Sequence, residues 1–428
     1  MLNLAGLLKS RIHYAWIVAA VTFLLLLAAV GVRATPSVLI VPLEAAFGWS
    51  RGTISLAISI NIVLYGLMGP FAAALMQQIG IRRTVMLALA LIAAATALSS
   101  FMTTSWQLIL TWGLAVGLGT GVTALVLGAT IVNRWFNKRQ GLVMGAITAS
   151  TATGQLVFLP FLASVVENHG WQPVVWIAAI VSAAMIPIIF FLLPENPGAV
   201  GLRPYGAGAE SASPAAAPAN PITVALSTLG RASKSGSFWL LFASFFVCGA
   251  STNGLIGTHL ISYCIDNGLP EITGAGLLAG MGIFDLIGTT LSGWLSDRYD
   301  SRWLLFWYYG LRGLSLLYLP YSGFSLAGLS FFAVFYGLDW LATVPPTLRL
   351  TNEIFGKKDA PIIFGWLFTG HQLGAGLIAF EAGTLRSVLG DYQVPVLISG
   401  VLCLAAALFV LKIGRGTKRD DTLVPAMG

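Results

Sequence analysis

Residues 282–313, GIFDLIGTTLSGWLSDRYDSRWLLFWYYGLRG, place an acid and a base inside two apolar runs joined by a short charged turn. Asp285 lies in the first run and Arg312 in the second. An ionised side chain among Phe, Leu, Ile and Trp is costly in hydrocarbon, so each needs a partner or a wet pocket. The turn, Gly293-Trp-Leu-Ser-Asp-Arg-Tyr-Asp-Ser-Arg302, sets Asp297 and Arg298 ahead of Arg302 in the spacing G-x-L-x-D-R-x-x-x-R.

Composition carries this reading to the whole chain. Of 428 residues, 57% are hydrophobic and 9% charged, too little polar surface for a soluble protein, so the chain reads as a polytopic membrane protein. Its net charge of +7 is spread over many short turns and forms no stripe, so no nucleic-acid partner is expected. Cys248, Cys264 and Cys403 lie in or at the ends of apolar runs without metal-ligand spacing. They read as small core residues, and no metal or cofactor is expected. Lys9 and Arg11 ahead of Ile17–Val30 imitate a signal peptide, but the run is long and no small-residue cleavage site follows. It is taken as a retained first span.

Apolar stretches of about 20 residues, enough to cross about 30 Å of hydrocarbon as helix, fall at 14–43, 53–77, 84–102, 106–132, 141–165 and 172–193, then at 237–265, 272–296, 303–321, 325–350, 360–385 and 392–413. Residues 194–236 are rich in Ala, Pro, Gly and Ser and read as a flexible cytoplasmic tether without a site. The expected domains are therefore an N-terminal bundle (1–193), the linker (194–236), a C-terminal bundle (237–413) and a cytoplasmic tail (414–428). Lys and Arg crowd alternate loops, leaving only Arg51 and Arg386 on the opposite face, which predicts that both termini are cytoplasmic.

A repeat then emerges. Ala73-Ala-Leu-Met-Gln-Gln-Ile-Gly-Ile-Arg82, after the second span, keeps the frame of residues 293–302, with Gln77 in place of Asp297. The predicted fold is an all-α membrane protein of twelve transmembrane helices in two pseudo-symmetric six-helix bundles. Arg82, Asp297, Arg298 and Arg302 are expected to form an inner gate, the Asp facing helix N-termini and the Arg closing an ion network. In the first half, which lacks the Asp, that latch should be weaker.

Twelve spans, a central loop and a paired inner-loop signature resemble the major facilitator superfamily. Arg134-Trp-Phe-Asn-Lys-Arg-Gln-Gly-Leu-Val-Met-Gly145 and Phe47-Gly-Trp-Ser-Arg51 resemble its monocarboxylate porter and oxalate/formate exchanger branch. In that branch, the resemblance implies, a basic residue in the first span and an Asp and Arg one turn apart in the eighth handle carboxylate and proton. Asp285 matches the acid, Thr289 stands at the Arg position, and Arg33 matches the first-span base a residue or two out of register. A second cation must come from elsewhere, or the substrate is not a simple monocarboxylate.

Asp285, Arg312 and Asp339, all mid-span, are candidates for proton coupling, and Arg312 and Asp339 can pair in either a static or a switching bridge. Arg33, Asn61, Tyr65, Gln155, Asn253, His371 and Gln372 are the candidate substrate contacts, as polar groups on helices that often line the cavity in the resembling superfamily; His259 reads as a packing histidine. The glycine series Gly113, Gly117, Gly119, Gly121, Gly276, Gly280, Gly370 and Gly374 reads as close helix packing. The expected function is secondary active transport of a small organic anion, a mono- or dicarboxylate, coupled to protons by alternating access in a cell inner membrane. Anion exchange, neutral-solute or drug transport and a non-transporting sensor or scaffold are the alternatives. No nucleophile with a base nearby, no metal-spaced cluster and no ATPase signature points to an enzyme. The expected partners are the organic anion, protons and the lipid bilayer, with the chain a monomer.

Overall fold

The computed structural model describes residues 13–207 and 221–414. Its long helices are α1 (Tyr14–Phe47), α2 (Arg51–Gln78), α3 (Ile81–Ser99), α4 (Ser105–Trp135), α5 (Gln140–His169), α6 (Trp171–Leu192), α7 (Gly236–Asp266), α8 (Glu271–Ser296), α9 (Ser301–Tyr318), α10 (Leu326–Gly356), α11 (Asp359–Leu389) and α12 (Gln393–Val410). Ten of these are long and apolar enough to cross a membrane among the described residues. α5 and α9 occupy the two remaining predicted spans. Local chemistry sets the boundaries. The Ser50, Asp300 and Ser325 side chains accept amides in the first turns of α2, α9 and α10, and Gly48, at φ 67°, closes α1 in the left-handed conformation. At α3 the cap comes from a distance, because Glu195 accepts Ile81 N–H at 2.6 Å and Arg82 N–H at 3.1 Å.

The halves meet through α2 against α11, α5 against α8 and α1 against α7. One end of the bundle carries the α1–α2 and α7–α8 turns and is called the Arg51 end; the other, carrying the linker, is the linker end. Along the antiparallel α2–α11 contact a Cβ on Gly52 would lie 3.1 Å from Thr384, and one on Gly66 would lie 2.5 Å from the Gln372 side chain. Contact therefore runs from the Arg51 end to the middle. Within the halves, Cβ atoms on Gly117, Gly119 and Gly121 would meet Asn61, Ile92 and Met68 at 2.9, 2.5 and 2.5 Å, so α4 packs closely on α2 and α3, as expected. Gly276 and Gly280 do not serve that purpose. A Cβ on either meets nothing within 4 Å, because that face of α8 has no helix against it.

Three of the intramembrane charges are explained by a break in α10. Pro345 and Pro346 lack amide hydrogens, and the helix is interrupted at Trp340–Thr343. Each backbone group so released must find a partner in hydrocarbon. Arg312 Nη2 donates to the carbonyls of Asp339 at 2.5 Å and Trp340 at 3.1 Å, and its Nε to Asp339 Oδ2 at 2.6 Å. Ser292 Oγ donates to the Ala342 carbonyl at 2.5 Å, and Asp285 Oδ1 accepts Leu341 N–H at 2.9 Å. Arg312 is fully buried and Asp339 nearly so. The Arg312–Asp339 bridge is thus part of a backbone staple, and Asp285 holds the opposite side of the same break without joining the bridge.

The linker departs from expectation. Tyr205 N–H donates to the Trp135 carbonyl at 2.8 Å, its carbonyl accepts Asn137 N–H at 2.9 Å, and its ring packs edge-on against Trp16. A helix at Pro221–Ala232 lies against α2 and α11, tied by Trp366 Nε1 to the Ala225 carbonyl at 3.0 Å and by Arg231 to Asp359 at 2.9 Å. The average composition of 194–236 hid one aromatic anchor and one short amphipathic helix, so these parts are docked rather than a loose tether. Residues 208–220 lie outside the described residues, as do Lys9, Arg11 and the tail from 415.

Replacing Arg312 by Leu leaves the Asp339 carboxylate buried alone and should cost about 3–5 kcal/mol of stability. The double replacement Arg312→Leu/Asp339→Leu should recover part of that loss, read as thermal unfolding midpoints of the purified protein in detergent.

Candidate functional site

α1 runs through Pro36 and Pro42 to Phe47, so Arg33 lies well inside the helix rather than near its end. Gly31, two residues earlier, lets the Phe158 ring of α5 approach to 3.0 Å of a would-be Cβ. The Arg33 guanidinium sits 4.2 Å above the Tyr65 ring of α2, a cation–π contact worth about 2 kcal/mol when desolvated. Tyr65 meets Phe368 of α11 edge-on at 6.3 Å. Phe368 stacks on His371 at 5.8 Å and 11°, and His371 leans on Phe245 of α7 at 5.0 Å. A file of rings therefore crosses from one half to the other. Two polar groups along it lack ordinary partners. His371 is 3% exposed and its Nδ1 has no hydrogen bond, and Arg33 makes no ion pair among the described residues. A buried nitrogen left unmet is uncommon and calls for a ligand or a water.

The other predicted contacts separate. Asn61 Nδ2 donates to the Trp112 carbonyl at 2.6 Å, inside the π-helical stretch Ile109–Val116 of α4, where widened turns release carbonyls. It is committed to helix packing. Asn253 lies half-buried in the matching π-helical stretch Ala250–Ile256 of α7, its carbonyl taken by Thr258 Oγ1 at 2.8 Å. Gln372 is buried at the Gly66 crossing. The Gln155 side chain lies outside the described residues. Asp285 receives Thr289 Oγ1 at 2.8 Å on the same oxygen, Oδ1, that holds Leu341. Thr289, standing where the resembling branch has a cation, thus serves the acid as a neutral donor.

The expected inner gate is only partly built. Asp297 is 81% exposed and 3.8 Å from Arg349, which also bonds Glu353 at 2.9 Å and the Ser296 carbonyl. Arg298 folds back over Trp294 at 4.0 Å, and Arg302 lies 3.9 Å from Asp300 of its own turn. Arg298 thus stays on its own helix, whereas Arg302 Nη2 would lie 3.3 Å from a Cβ on Gly414, just past α12. Arg82 rests over Phe190 at 5.5 Å, and the side chain of Gln77, its counterpart to Asp297, lies outside the described residues. Arg349, which the sequence does not single out, is the residue that links α10 to the α8 end. A larger omission is at the Arg51 end. Arg51 is 4% exposed and binds both halves, although the sequence marks it only as the end of a branch motif and one of two basic residues on that face.

With fold and site in view, comparison with known proteins is informative. The family model of the Major Facilitator Superfamily matches residues 21–338 and 271–426, and the chain belongs to that superfamily of membrane transporters. An uncharacterized MFS-type transporter, YcxA of Bacillus subtilis (strain 168), is 24% identical over 88% of this chain and 90% of its own length. Monocarboxylate transporter 13 of Rattus norvegicus is 26% identical over 92% of this chain and 87% of its own. These relatives support the monocarboxylate porter-like branch. A solved bacterial homolog of the human lysosomal transporter Spinster, inward-facing and unoccupied, shares the fold with a TM-score of 0.74 at 15% identity, over 94% of this chain and 97% of that one. The chain is thus a multi-pass transporter for a small molecule and not an enzyme.

A Cβ on Gly249 would strike the His371 carbonyl of α11, whereas one on Gly276 meets nothing within 4 Å. Gly249→Ala should therefore sharply reduce the yield of folded protein, while Gly276→Ala should match the parent, as judged by size-exclusion profiles at equal expression.

Proposed function

We propose that this protein is a secondary active transporter of a small organic anion, a monocarboxylate with an apolar body, moved with a proton by alternating access. One observation carries the reading: Arg33, without an ionic partner, stands over Tyr65 on the ring file that ends at the unmet His371 Nδ1. A carboxylate reaching Arg33 gains a charge-assisted, bidentate hydrogen bond. His371 Nδ1 supplies a second polar contact, and Tyr65, Phe368 and Phe245 supply apolar area. Among the described residues the ring file carries one cation without an ion pair, which suits a single negative charge and favours a monocarboxylate over a dicarboxylate. The names of the curated relatives lean the same way.

Asp285 is the group we assign to the proton. Both of its recorded hydrogen bonds fall on Oδ1, which leaves Oδ2 to bind and release a proton while Oδ1 keeps α10 in place. Arg312 and Asp339, held by the staple, act in our reading as structure rather than as carriers. The membrane is a cell inner membrane with both termini cytoplasmic, in keeping with the lysine and arginine distribution. The described contacts between the halves, from the Arg51 end to the middle, support a state closed on the outer side. Transport follows from rocking the halves about the Arg33–His371 region.

Proteoliposomes loaded at neutral pH and diluted into acidic medium should accumulate a labelled monocarboxylate, and a dicarboxylate of similar size far less. Arg33→Gln should lower accumulation by about tenfold or more, the loss of one charge-assisted hydrogen bond of about 1.5–3 kcal/mol. Asp285→Asn should abolish gradient-driven accumulation while sparing exchange of labelled for unlabelled substrate. Accumulation that is indifferent to Arg33 would refute the anion assignment, and accumulation intact in Asp285→Asn would remove that residue from the proton's path.

A further inference from the structure

At the Arg51 end four charges alternate in sign across the boundary between the halves. Arg51, the first residue of α2, donates from Nε to Glu44 in the last turn of α1 at 2.7 Å. Its Nη1 and Nη2 grip Asp266, the last residue of α7, in a two-pronged bond of 2.8 and 2.7 Å. Asp266 Oδ2 also accepts Arg386 Nε of α11 at 2.7 Å. Glu44 and Arg51 belong to one half and Asp266 and Arg386 to the other. Helix dipoles do not hold three of these groups in place: Arg51 is at a helix N-terminus, Glu44 and Asp266 are at C-termini, and each is disfavoured there, whereas Arg386 in the last turn of α11 is favoured. They are held by one another.

The order of the charges matters. Cutting the row between Arg51 and Asp266 leaves Glu44 with Arg51 on one side and Asp266 with Arg386 on the other. Each fragment is neutral and keeps a hydrogen-bonded pair within its own half. The Glu44–Arg51 pair spans only the turn Gly48-Trp49-Ser50, so it moves with the first half as a unit. Opening this end therefore strands no charge, and the strong two-pronged link becomes reversible. Arg51 Nη1 also donates to the Tyr392 hydroxyl at 3.3 Å, which lies 3.2 Å from His259 Nδ1, while His259 Nε2 is 2.8 Å from the Ala379 carbonyl. Burial raises the Tyr392 phenol above its ordinary titration range, so it stays a donor to His259 Nδ1. The second half thereby presents a rigid seat to the incoming Arg51.

We propose that Glu44, Arg51, Asp266 and Arg386 form a gate of two exchangeable ion pairs, in which Arg51–Asp266 holds this end shut while Glu44 and Arg386 make its release affordable. The inference rests on the halves separating at this end, as alternating access requires, but not on the substrate. Its signature is opposite signs from neighbouring neutralisations. Arg51→Gln and Asp266→Asn remove the link across the boundary and favour opening. Glu44→Gln and Arg386→Gln remove the partner that Arg51 or Asp266 would retain once parted, and so favour closure.

Ser55 of α2 is fully buried against Gly383 of α11, and it becomes accessible only if the two helices part. In the purified full-length chain in nanodiscs, carrying Ser55→Cys, the rate of reaction with a hydrophilic maleimide reports opening. The parent chain, whose Cys248, Cys264 and Cys403 are buried, supplies the background. Against Ser55→Cys alone, Arg51→Gln and Asp266→Asn should speed labelling by about threefold or more, and Glu44→Gln and Arg386→Gln should slow it by a similar factor, the scale of a partly exposed ion pair. Rates that shift in one direction for all four, that stay unchanged, or that remain at background in every variant would overturn the gate. Labelling needs no substrate, so the gate can fail while the anion reading stands, and the uptake assay can fail while the gate stands.

Discussion

In hydrocarbon a backbone amide or carbonyl that leaves its helix has no water to turn to. This constraint organises the C-terminal half. The paired prolines of α10 break a helix in mid-membrane, and the break is tolerable only because Arg312, Ser292 and Asp285 reach it from α9 and α8. Asp339 then neutralises Arg312 where the guanidinium already lies. Three charges that the sequence relates only through their mid-span positions are thus answers to one local defect. The same reasoning applies on a smaller scale to the π-helical stretches of α4 and α7, where Asn61, Thr258 and the Tyr336 hydroxyl take up released carbonyls. The Asn61 and Tyr336 bonds cross between helices and contribute about 0.6–2 kcal/mol each, so those breaks also bind helices together, while Thr258 closes its carbonyl within α7.

Small residues do the complementary work of bringing backbones close. Gly66, Gly376 and Gly383 let α2 and α11 touch across the boundary, and the α4 glycines do the same within the first half. These small residues mark the α2–α11 crossing, whereas toward the Arg51 end one apolar core draws Val38, Leu39 and Ile40 of the first half together with Leu255, Ile256 and Leu260 of the second. The strong polar link is concentrated at the boundary's Arg51 end. The middle, by contrast, holds the ring file with Arg33 and His371. Closure of one end and exposure of a polar centre are therefore assigned to different residues on the same helices.

The twelve-span all-α fold and the repeat of 73–82 on 293–302 are legible in the sequence, since each depends on hydropathy or spacing, and Arg33, Tyr65 and His371 stand out there as lone polar residues in apolar runs. What eluded reading depends on geometry across distant segments. Asn61 and Arg33 look alike in sequence, each a polar residue in an apolar helix, yet one faces a released carbonyl and the other an aromatic ring. Asp285 was singled out as an acid, but its hold on Leu341 follows only from the place where α10 breaks. Arg51 reads in the sequence only as part of a branch motif and as a topological charge, because its partners Asp266 and Tyr392 lie more than 200 residues away and no periodicity links them. The linker helix was lost to averaging over 194–236.

The contrast between the two arginines of the first half carries the argument furthest. Arg51 is satisfied on every nitrogen by carboxylates and a hydroxyl, so an incoming anion there competes with two fixed acids held at bonding distance. Among the described residues Arg33 has only the face of an aromatic ring, an interaction of about 0.5–2 kcal/mol, which a carboxylate's charge-assisted bonds of about 1.5–3 kcal/mol each can replace or join. A cation held by a quadrupole rather than by a counter-ion remains unneutralised. That is the condition under which a substrate's own charge, and not a change in the protein's, completes the site.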